Sequence, residues 1–520
     1  MPEQDIIERI KNYERVNINF SPKIPPLKKE EDKTLVDVRY CVISPYAFVH
    51  IYWDTKTYEL VYEIEEPILT TEEEEYKEQI INAMRDMINF QSIVGKNQDS
   101  LFDYIDKRFK ILAIELGLDI SYESYKKIYY YLCRDFMGLN EIEPILRDYF
   151  IEDIECNGVD SPIYIIHRLF RNIQTNVIFK NNAKLESFVE KLAQRCGKYI
   201  SYSQPILDGS LPDGSRVNAT YTKDITSRGP TFTIRKFTKT PWTPPQLLSF
   251  RTLSPEMMAY LWILVQYRMN LLITGGTASG KTTLLNALAF FIAPEARVVS
   301  IEDTREINLP RENWLPSVVR EATGVGDKRE IDLFTLLKSS FRQNPDYVIV
   351  GEVRGAEASV LFQGMASGHA SISTLHADSV DTVIKRLETP PIELSPTLMN
   401  ILDVVLVMTH AIVNKQETRK LREIVEIIKV NDDGTAVTNT PFTWNAYDDK
   451  FYSKKTSKTF EKISARFGVR IDDLELEYRR RVALLYKFYQ NKIFGFEEVQ
   501  NIVNEYYKKP EQVLKRFGIQ

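Results

Sequence analysis

Cysteine, histidine and long apolar runs are all scarce in this 520-residue sequence. The four cysteines are Cys41, Cys133, Cys156 and Cys196. No two of them stand close enough to form a CxxC pair, which argues against a zinc knuckle. We therefore expect free thiols in a cytosolic protein.

Segments that would enter or cross a membrane are also missing. Residues 1–9 are polar and charged, unlike a secretory signal peptide. The most apolar stretch, residues 257–274, is interrupted by Gln266 and Arg268, so no segment is predicted to span a bilayer. These features predict a cytoplasmic location.

Charge is nearly balanced but unevenly distributed. The net charge is −5, which argues against a general attraction to nucleic acid. Residues 441–520 hold 16 Lys or Arg and 11 Asp or Glu, a net of +5, which leaves −10 for the rest of the chain. This basic segment suits an acidic lipid surface or an acidic partner, and equally suits a solvated helical face.

Changes in composition divide the chain into five predicted regions. Residues 36–64 alternate like short strands, and residues 72–136 have the apolar spacing of about three helices. Three prolines within residues 238–245 predict a linker that forms neither a helix nor a central strand. The regions are 1–135 (short strands, then helices), 136–237 (an α/β domain), 238–249 (the linker), 250–440 (alternating helix and strand, hence a parallel α/β sheet) and 441–520 (a helical extension, with three helices over 455–520).

A glycine-rich segment between a predicted strand, 271–274, and a predicted helix, 283–291, fits the pattern G-x-x-x-x-G-K-[ST]. Its glycines allow backbone N–H groups to wrap phosphates, and the helix N-terminus adds positive charge. Lys281 is expected to reach the β and γ phosphates of ATP, and Thr282 to offer its hydroxyl to Mg²⁺. The predicted nucleotide-binding residues are Gly275, Gly276, Thr277, Ala278, Ser279, Gly280, Lys281, Thr282 and Thr283.

Two further predicted strands end in carboxylates. Residues 298–303 end in Glu302 and Asp303, and residues 346–352 end in Glu352. Ligands of parallel sheets bind beyond the carboxyl ends of the strands, so Asp303 is a candidate nucleotide contact. One of Glu302 and Glu352 is expected to activate the attacking water and the other to hold Mg²⁺ through water. Glu352 is the candidate metal ligand beside Thr282. Helix capping or simple solvation of these acids is the alternative.

Four segments, in order, resemble the motifs of the type II/type IV secretion ATPase superfamily, whose members drive pilus assembly, archaellum rotation and macromolecular secretion. They are the phosphate loop, residues 301–306 (resembling the Asp box), 341–354 (the Walker B segment) and 368–376 (the His box). The segments that resemble the family's N-terminal domain are 138–146, 151–158, 211–220 and 228–237. The resemblance covers roughly residues 135–430 and implies a RecA-like P-loop ATPase core with an N-terminal α+β domain.

Within the superfamily the chain is most similar to the archaeal branch, the ATPases of archaella and archaeal pili. Many bacterial type II members carry a four-cysteine zinc site late in the ATPase domain, and this sequence has no cysteine after Cys196. The resemblance implies a hexamer that uses ATP and Mg²⁺ at the inner face of the cell membrane. Its implied partner is a polytopic platform protein, with acidic lipid as a further candidate.

The resemblance also implies roles for two of the histidines. His369 and His376 belong to the His box, which in the family borders the nucleotide and helps to relay its state. Neither is expected to be the catalytic base. A structural role is the alternative for each.

Arginines are candidates to neutralise the charge of the transition state. By resemblance, Arg216 and Arg235 lie in N-terminal-domain segments that close over the phosphates, and Arg228 is a third candidate there. The candidates in the ATPase region are Arg342, Arg354 and Arg386. A surface ion pair that contributes little is the alternative for each.

The predicted function is an ATP-hydrolysing motor whose two domains close across residues 237–247 and drive a pilus or an archaellum. A translocation ATPase of the type IV secretion kind is the alternative within the class. A nucleic-acid motor is disfavoured, because the main body is acidic and no basic-aromatic binding stretch is present. No nucleic-acid partner is therefore expected.

Overall fold

The computed structural model describes residues 2–25, 27, 30, 32–87, 98–237, 240–320, 331–413, 416–454 and 456–519. The chain divides into two compact units, Met1–Phe237 (unit 1) and Thr238–Gln520 (unit 2). Within the described ranges, no helix combines the length and the apolar character needed to cross a membrane.

Unit 1 contains one mixed sheet with helices beside it. Its helices are α1 (Pro2–Lys11), α2 (Thr71–Met87), α3 (Gln98–Glu115), α4 (Tyr122–Met137), α5 (Glu143–Arg147) and α6 (Asn182–Arg195). Its strands are β1 (Asp37–Ile43), β2 (Ala47–Asp54), β3 (Glu59–Glu65), β4 (Ile151–Cys156), β5 (Pro162–His167), β6 (Arg171–Ile178), β7 (Ile206–Ser210), β8 (Arg216–Thr220) and β9 (Thr231–Arg235). The hydrogen-bonded order is β1-β2-β3-β6-β5-β4-β9-β8-β7.

The first three strands form an antiparallel meander, as the alternation in residues 36–64 predicts. This meander joins the remaining strands because β3 pairs in parallel with β6. The buried carboxylate of Asp148 strengthens the connection, since it accepts hydrogen bonds from the hydroxyls of Tyr40 (2.5 Å) and Tyr62 (2.9 Å). Residues before and after position 136 thus share one sheet and one hydrophobic core.

Unit 2 alternates helices and strands and then ends in helices. Its helices are α7 (Pro244–Ser249), α8 (Pro255–Gln266), α9 (Lys281–Ala289), α10 (Leu333–Ser340), α11 (Glu357–Ala366), α12 (Val380–Glu388), α13 (Pro396–Met399), α14 (Lys458–Phe467), α15 (Ile471–Gln490), α16 (Phe496–Lys508) and α17 (Pro510–Arg516). Its strands are β10 (Leu271–Thr274), β11 (Val298–Glu302), β12 (Trp314–Val318), β13 (Tyr347–Val353), β14 (Ala370–Leu375), β15 (Val404–Val413), β16 (Gln416–Val430), β17 (Ala436–Asn445) and β18 (Lys450–Ser453).

The sheet of unit 2 is parallel at its centre. Its order is β12-β11-β13-β14-β10-β15-β16-β17-β18, and the strands from β12 to β15 run parallel. Every residue of β10, β11 and β14 is buried, as expected for parallel strands covered on both faces. Parallel direction brings the carboxyl ends of β10, β11, β13 and β14 to one edge of the sheet, where ligands bind in folds of this class.

The predicted linker contains a helix, so the expectation that its prolines exclude one is wrong for residues 244–249. Pro244 and Pro245 occupy the first turn of α7, where backbone N–H groups have no intrahelical acceptor and proline loses nothing. Gln246 accepts a hydrogen bond from the Thr243 amide (2.9 Å), which closes the helix start. Whether these prolines are compatible with a helix depends on their position in it, not on their number.

The region 441–520, predicted as a helical extension with helices from residue 455, begins with strand. β17 crosses position 440, β18 follows it, and four helices rather than three complete the described tail. The buried carboxylate of Glu426 in β16 accepts hydrogen bonds from the amides of Lys458 (2.9 Å) and Thr459 (3.1 Å) at the start of α14. The C-terminal segment therefore completes the sheet and core of unit 2.

Candidate active site

The phosphate loop connects the buried strand β10 to α9. Gly275 has a φ of +152°, and a Cβ at this position would lie 2.5 Å from the carbonyl oxygen of Met408. Gly280 has a φ of +93° and precedes α9. These two positions require glycine. The residues between them form an exposed tip, 276–278, and the buried Ser279, whose Oγ donates to the Gly276 carbonyl (2.8 Å).

Lys281 begins α9, and its buried side chain folds back over the loop. Its Nζ donates to the carbonyl oxygens of Gly275 (3.1 Å) and Gly276 (2.9 Å) and lies 3.4 Å from Nε2 of His376. Burial lowers the pKa of Lys281, and the nearby Glu352 carboxylate opposes this effect. A phosphate would be a stronger partner for this ammonium than neutral carbonyl groups.

Thr282 and Thr283 follow in the first turn of α9, and both are half-buried. Asn286, one turn further, donates from Nδ2 to the carbonyl oxygens of Thr282 and Glu306, at 3.2 Å each. Its Oδ1 accepts a hydrogen bond from the Asn308 amide (3.1 Å). Asn286 thereby ties the phosphate-binding helix to the segment that follows β11.

Glu352 lies near the carboxyl end of β13 and joins several charged groups. Its Oε2 accepts a hydrogen bond from Arg354 (2.5 Å), whose Nη1 lies 3.4 Å from Asp303 Oδ2. Its Oε1 is buried and 3.1 Å from His376 Nε2, and it accepts no hydrogen bond from the described residues. Burial and the Lys281 ammonium lower the pKa of His376. Glu352 is thus held beside the loop with one oxygen available.

Glu302, at the end of β11, is a different kind of carboxyl group. Its Oε1 accepts hydrogen bonds from the amides of Glu306 (2.8 Å) and Ile307 (2.7 Å), while its buried Oε2 has no partner in the described part of the chain. Burial raises the pKa of Glu302 to about 8. A Cβ on Gly351 would lie 3.2 Å from Glu302 Cγ, so the neighbouring strand leaves little free space. Burial therefore favours the neutral form of this group, which braces the turn after β11.

Two predicted residues lie at the other edge of the sheet. His369 precedes β14, whereas His376 follows it, so a strand of six residues, about 20 Å long, separates them. The His369 ring packs against Phe341, with ring centroids 5.0 Å apart. Arg342 lies in a short 3₁₀ helix, Phe341–Gln343, before β13. Arg386, another arginine candidate of the ATPase region, lies in the last turn of α12.

In unit 1, Arg216 and Arg235 are cross-strand neighbours in the antiparallel pair β8–β9. Arg216 pairs with Asp208 (2.9 Å) and Arg235 with Asp153 (3.2 Å). Their side chains are 43% and 64% exposed. Like charges that face each other across strands are unfavourable, and the two aspartates and solvent offset this cost.

Arg228 is not part of that pair. It lies in the connection between β8 and β9, at the opposite end of the strands from Arg216 and Arg235. It lines an open cavity of about 510 Å³ together with Lys223 and Asn182. Unit 1 therefore separates the three arginines into a pair and a single residue.

The structure also adds a residue that the sequence motifs do not indicate. Arg419 of β16 donates from Nε to the carbonyl oxygen of Ala278 in the phosphate loop (3.0 Å). The two residues are 141 positions apart, and nothing local to Arg419 predicts this contact. Asn286 carries no sequence signal for its role either, since asparagine within a helix is usually a solvated residue.

Comparison with known proteins gives a consistent result. Residues 138–462 match the family described as Type II/IV secretion system protein. An uncharacterised protein of Methanocaldococcus jannaschii is 33% identical over 529 residues, which cover 96% of this chain and 94% of the relative. The conjugal transfer protein TrbB of Rhizobium radiobacter is 33% identical over 252 residues, which cover 48% of this chain and 75% of the relative.

A similarity to solved structures accompanies these matches. The ATPase DotB of Legionella pneumophila shares 18% sequence identity, over 56% of this chain and 80% of that chain, with a TM-score of 0.39. The family match, by contrast, covers more than half of this chain and includes residues of both units.

Proposed function

We propose a motor function for this chain, which belongs to the Type II/IV secretion system protein family and is an ATP-hydrolysing P-loop secretion ATPase. The archaeal relative, similar over almost the whole chain, fits the archaeal branch of that family. In this proposal a homohexamer converts ATP hydrolysis into domain motion. The motion drives assembly or rotation of an archaeal pilus or archaellum through a polytopic membrane platform protein at the inner face of the cell membrane.

The observation that carries the proposal is the meeting of Lys281, Glu352 and His376 at one edge of the sheet. Lys281 and the N-terminus of α9 supply positive charge for the β and γ phosphates. The buried Glu352 Oε1, which accepts no hydrogen bond from the described residues, suits a group that orients or deprotonates the attacking water. Arg354 holds the other oxygen of Glu352 and links it to Asp303.

The oxygen donors at this edge fit Mg²⁺, which prefers hydroxyl, carboxylate and water oxygens. Thr282, in the first turn of α9, would hold the ion directly, and Glu352 would hold it through water. Bound Mg²⁺ would neutralise charge on the β and γ phosphate oxygens. Glu302 suits this role less well, because burial favours its neutral form.

Arg216 and Arg235 are proposed to neutralise phosphate charge when the two domains close. Their cross-strand position supports this role, since two guanidinium groups on one exposed face attract an anion. Each now has an aspartate partner, and an exposed ion pair of this kind is worth little, so exchange for a phosphate is inexpensive.

A translocation ATPase of the type IV secretion kind is the second candidate. The similarity to a conjugal transfer protein favours it, although that match covers 48% of this chain. The archaeal relative matches 96% of the chain, including the N-terminal region and the C-terminal helices. This difference in coverage favours the archaeal branch of the family, for which the filament motor is our proposal.

The first test is Lys281→Ala in the full-length protein. We expect ATP turnover to fall by more than about a hundredfold while the fold is retained, because the phosphates lose their buried ammonium. Steady-state turnover, circular dichroism and size-exclusion chromatography with and without Mg-ATP would be measured. Lys385→Ala, which removes an exposed lysine from α12, is the matched control.

Normal turnover in folded Lys281→Ala would refute the assignment of the phosphate loop. A monomer under all nucleotide conditions would contradict the hexamer. Adding vesicles of acidic lipid or single-stranded DNA then separates the motor classes. Stimulation by DNA and not by lipid would contradict the filament motor.

A further inference from the structure

The hairpin of β15 and β16 continues beyond the sheet edge, next to the phosphate loop. β10 ends at Thr274, whose partner on β15 is Val407. β15 and β16 remain paired past this point through residues 408–413 and 416–421, which we call the hairpin arm. The arm therefore extends beside the loop that follows Thr274.

The hairpin arm contacts the phosphate loop through two side chains. Arg419 donates from Nε to the Ala278 carbonyl (3.0 Å). A Cβ on Gly280 would lie 3.4 Å from Arg419 Cδ and 3.5 Å from Met408 Cε, so both side chains pack closely along the loop. The arm thus lies against the loop at Ala278 and at Gly280.

The contact falls on a strained peptide. Ala278 has a φ of +56°, a left-handed conformation that is unfavourable for a residue with a Cβ. A hydrogen bond from a charged guanidinium is about twice as strong as a neutral one, which helps to offset this cost. The Ala278 conformation is therefore held by a group outside the loop.

Peptide geometry connects this bond to phosphate binding. In a trans peptide the C=O and the following N–H point in opposite directions. When Arg419 holds the Ala278 carbonyl, the Ser279 N–H must point to the side of the loop opposite Arg419. Amides that point into such a loop are the groups that bind phosphate oxygens.

We propose that Arg419 is a positioning residue that fixes the peptide between Ala278 and Ser279 for binding of the triphosphate. Lys281 also holds loop carbonyls, but a phosphate would draw its ammonium away, whereas Arg419 can keep its bond in both states. The inference rests on the proposed function, because it requires that this loop binds phosphate.

The test compares Arg419→Met with Arg419→Lys in the full-length protein. Methionine keeps much of the packing against Gly280 but donates no hydrogen bond. We expect the KM for ATP to rise roughly tenfold with kcat changed less than twofold, because the loop amides bind phosphates in both the ground and transition states. Inorganic tripolyphosphate, measured by calorimetry, should lose the same factor, and Arg419→Lys should recover part of it.

Arg422→Ala is the matched control, because Arg422 lies on the same strand and bonds to the Asp378 carbonyl and to Glu423. It should bind tripolyphosphate like the wild type. Wild-type affinity in Arg419→Met would overturn the inference, and so would an equal loss in Arg422→Ala. Lys281→Ala separates the two proposals. If Lys281→Ala retains tripolyphosphate binding, the proposed function fails. If Lys281→Ala loses binding and Arg419→Met retains it, only the inference about Arg419 fails.

Discussion

In unit 2, Lys281, Glu352 and His376 come from separate elements and meet at the edge of a buried parallel sheet. In unit 1, Arg216 and Arg235 lie side by side on exposed antiparallel strands. The relative exposure of Lys281 is 8%, whereas the Arg235 side chain is 64% exposed. The first group is partly shielded from water, with the Glu352 and His376 side chains 18% and 38% exposed, and the second remains more hydrated.

The difference follows from how the two sheets bring residues together. Parallel strands place all their carboxyl ends at one edge, and helices on both faces exclude water, so charges interact strongly there. Antiparallel register places two residues opposite each other but leaves their outer face in solvent. The sheet edge in unit 2 therefore brings an ammonium, a carboxylate and an imidazole together. The arginine pair in unit 1 can act on phosphate charge only when an anion lies beside it.

The largest expected effect separates the two acids within unit 2. Glu352→Gln should lower kcat by about a hundredfold with little change in ATP affinity, because the group that orients or activates water is lost. Glu302→Gln should keep most of the turnover, because burial already favours the neutral form of Glu302. Steady-state kinetics and nucleotide binding would be measured for both variants.

Glu295→Gln, which changes an exposed acid at the far edge of the sheet, is the control for both substitutions. If Glu302→Gln is the inactive variant and Glu352→Gln turns over normally, the roles of the two carboxyl groups are reversed. Burial of Glu302 would then not explain which of the two carboxyl groups acts on water.

An intermediate effect is expected in unit 1. Arg235→Ala should lower kcat about tenfold and ATP affinity less, as expected for a group that acts on transition-state charge. Stability should barely change, because the exposed pair with Asp153 contributes no more than about 1 kcal/mol. Turnover, nucleotide affinity and the melting temperature would be compared.

Lys180→Ala removes an exposed charge from the same unit and is the control for this variant. Equal turnover in Arg235→Ala and Lys180→Ala would limit Arg235 to a surface ion pair. Unit 1 would then contribute no catalytic charge through this residue.

The smallest effect concerns the pH dependence of stability. The pKa of Glu302 is raised to about 8 in the folded chain, so the folded state binds the proton more tightly than the unfolded state. This contribution to stability is complete below the ordinary carboxyl range and is lost as the pH rises towards 8, by at most about 1.4 kcal/mol per pH unit. Glu302→Gln removes this dependence.

The measurement is the melting temperature of Glu302→Gln and of the wild type at pH 5 and pH 8, without nucleotide. From pH 5 to pH 8 the melting temperature of the wild type should fall a few degrees further than that of the variant. Parallel profiles for the two proteins would contradict the assignment of a protonated Glu302.

Sequence patterns predict much of unit 2. The phosphate loop is recognisable because its glycines, lysine and threonine have a fixed local spacing, and β10 has the predicted bounds. The meander of unit 1 follows from simple alternation in residues 36–64. The boundaries of the regions are harder to predict. β17, which crosses position 440, and α7, which lies within the predicted linker, depend on the segments that cover them.

The candidate site is likewise predicted in part from the sequence. The motifs identify Glu302 and Glu352 as strand-end acids but cannot distinguish them, because the difference lies in burial and partners rather than in spacing. His369 and His376 belong to one motif, yet β14 separates them by its full length. Here a linear pattern groups residues that an extended strand holds apart.

The sequence by itself determined the chemistry of this protein: a phosphate loop, a strand-end carboxylate beyond each of two neighbouring strands, and a family assignment. Those features are local, since backbone conformation and residue type within a few positions specify them. Only the tertiary structure decided that Glu302 is buried in a setting that favours its neutral form, that Glu352 is paired with Arg354 and lies beside His376, and that Arg419 forms a hydrogen bond to the loop. Such properties depend on desolvation and on contacts between distant segments, which no local pattern encodes.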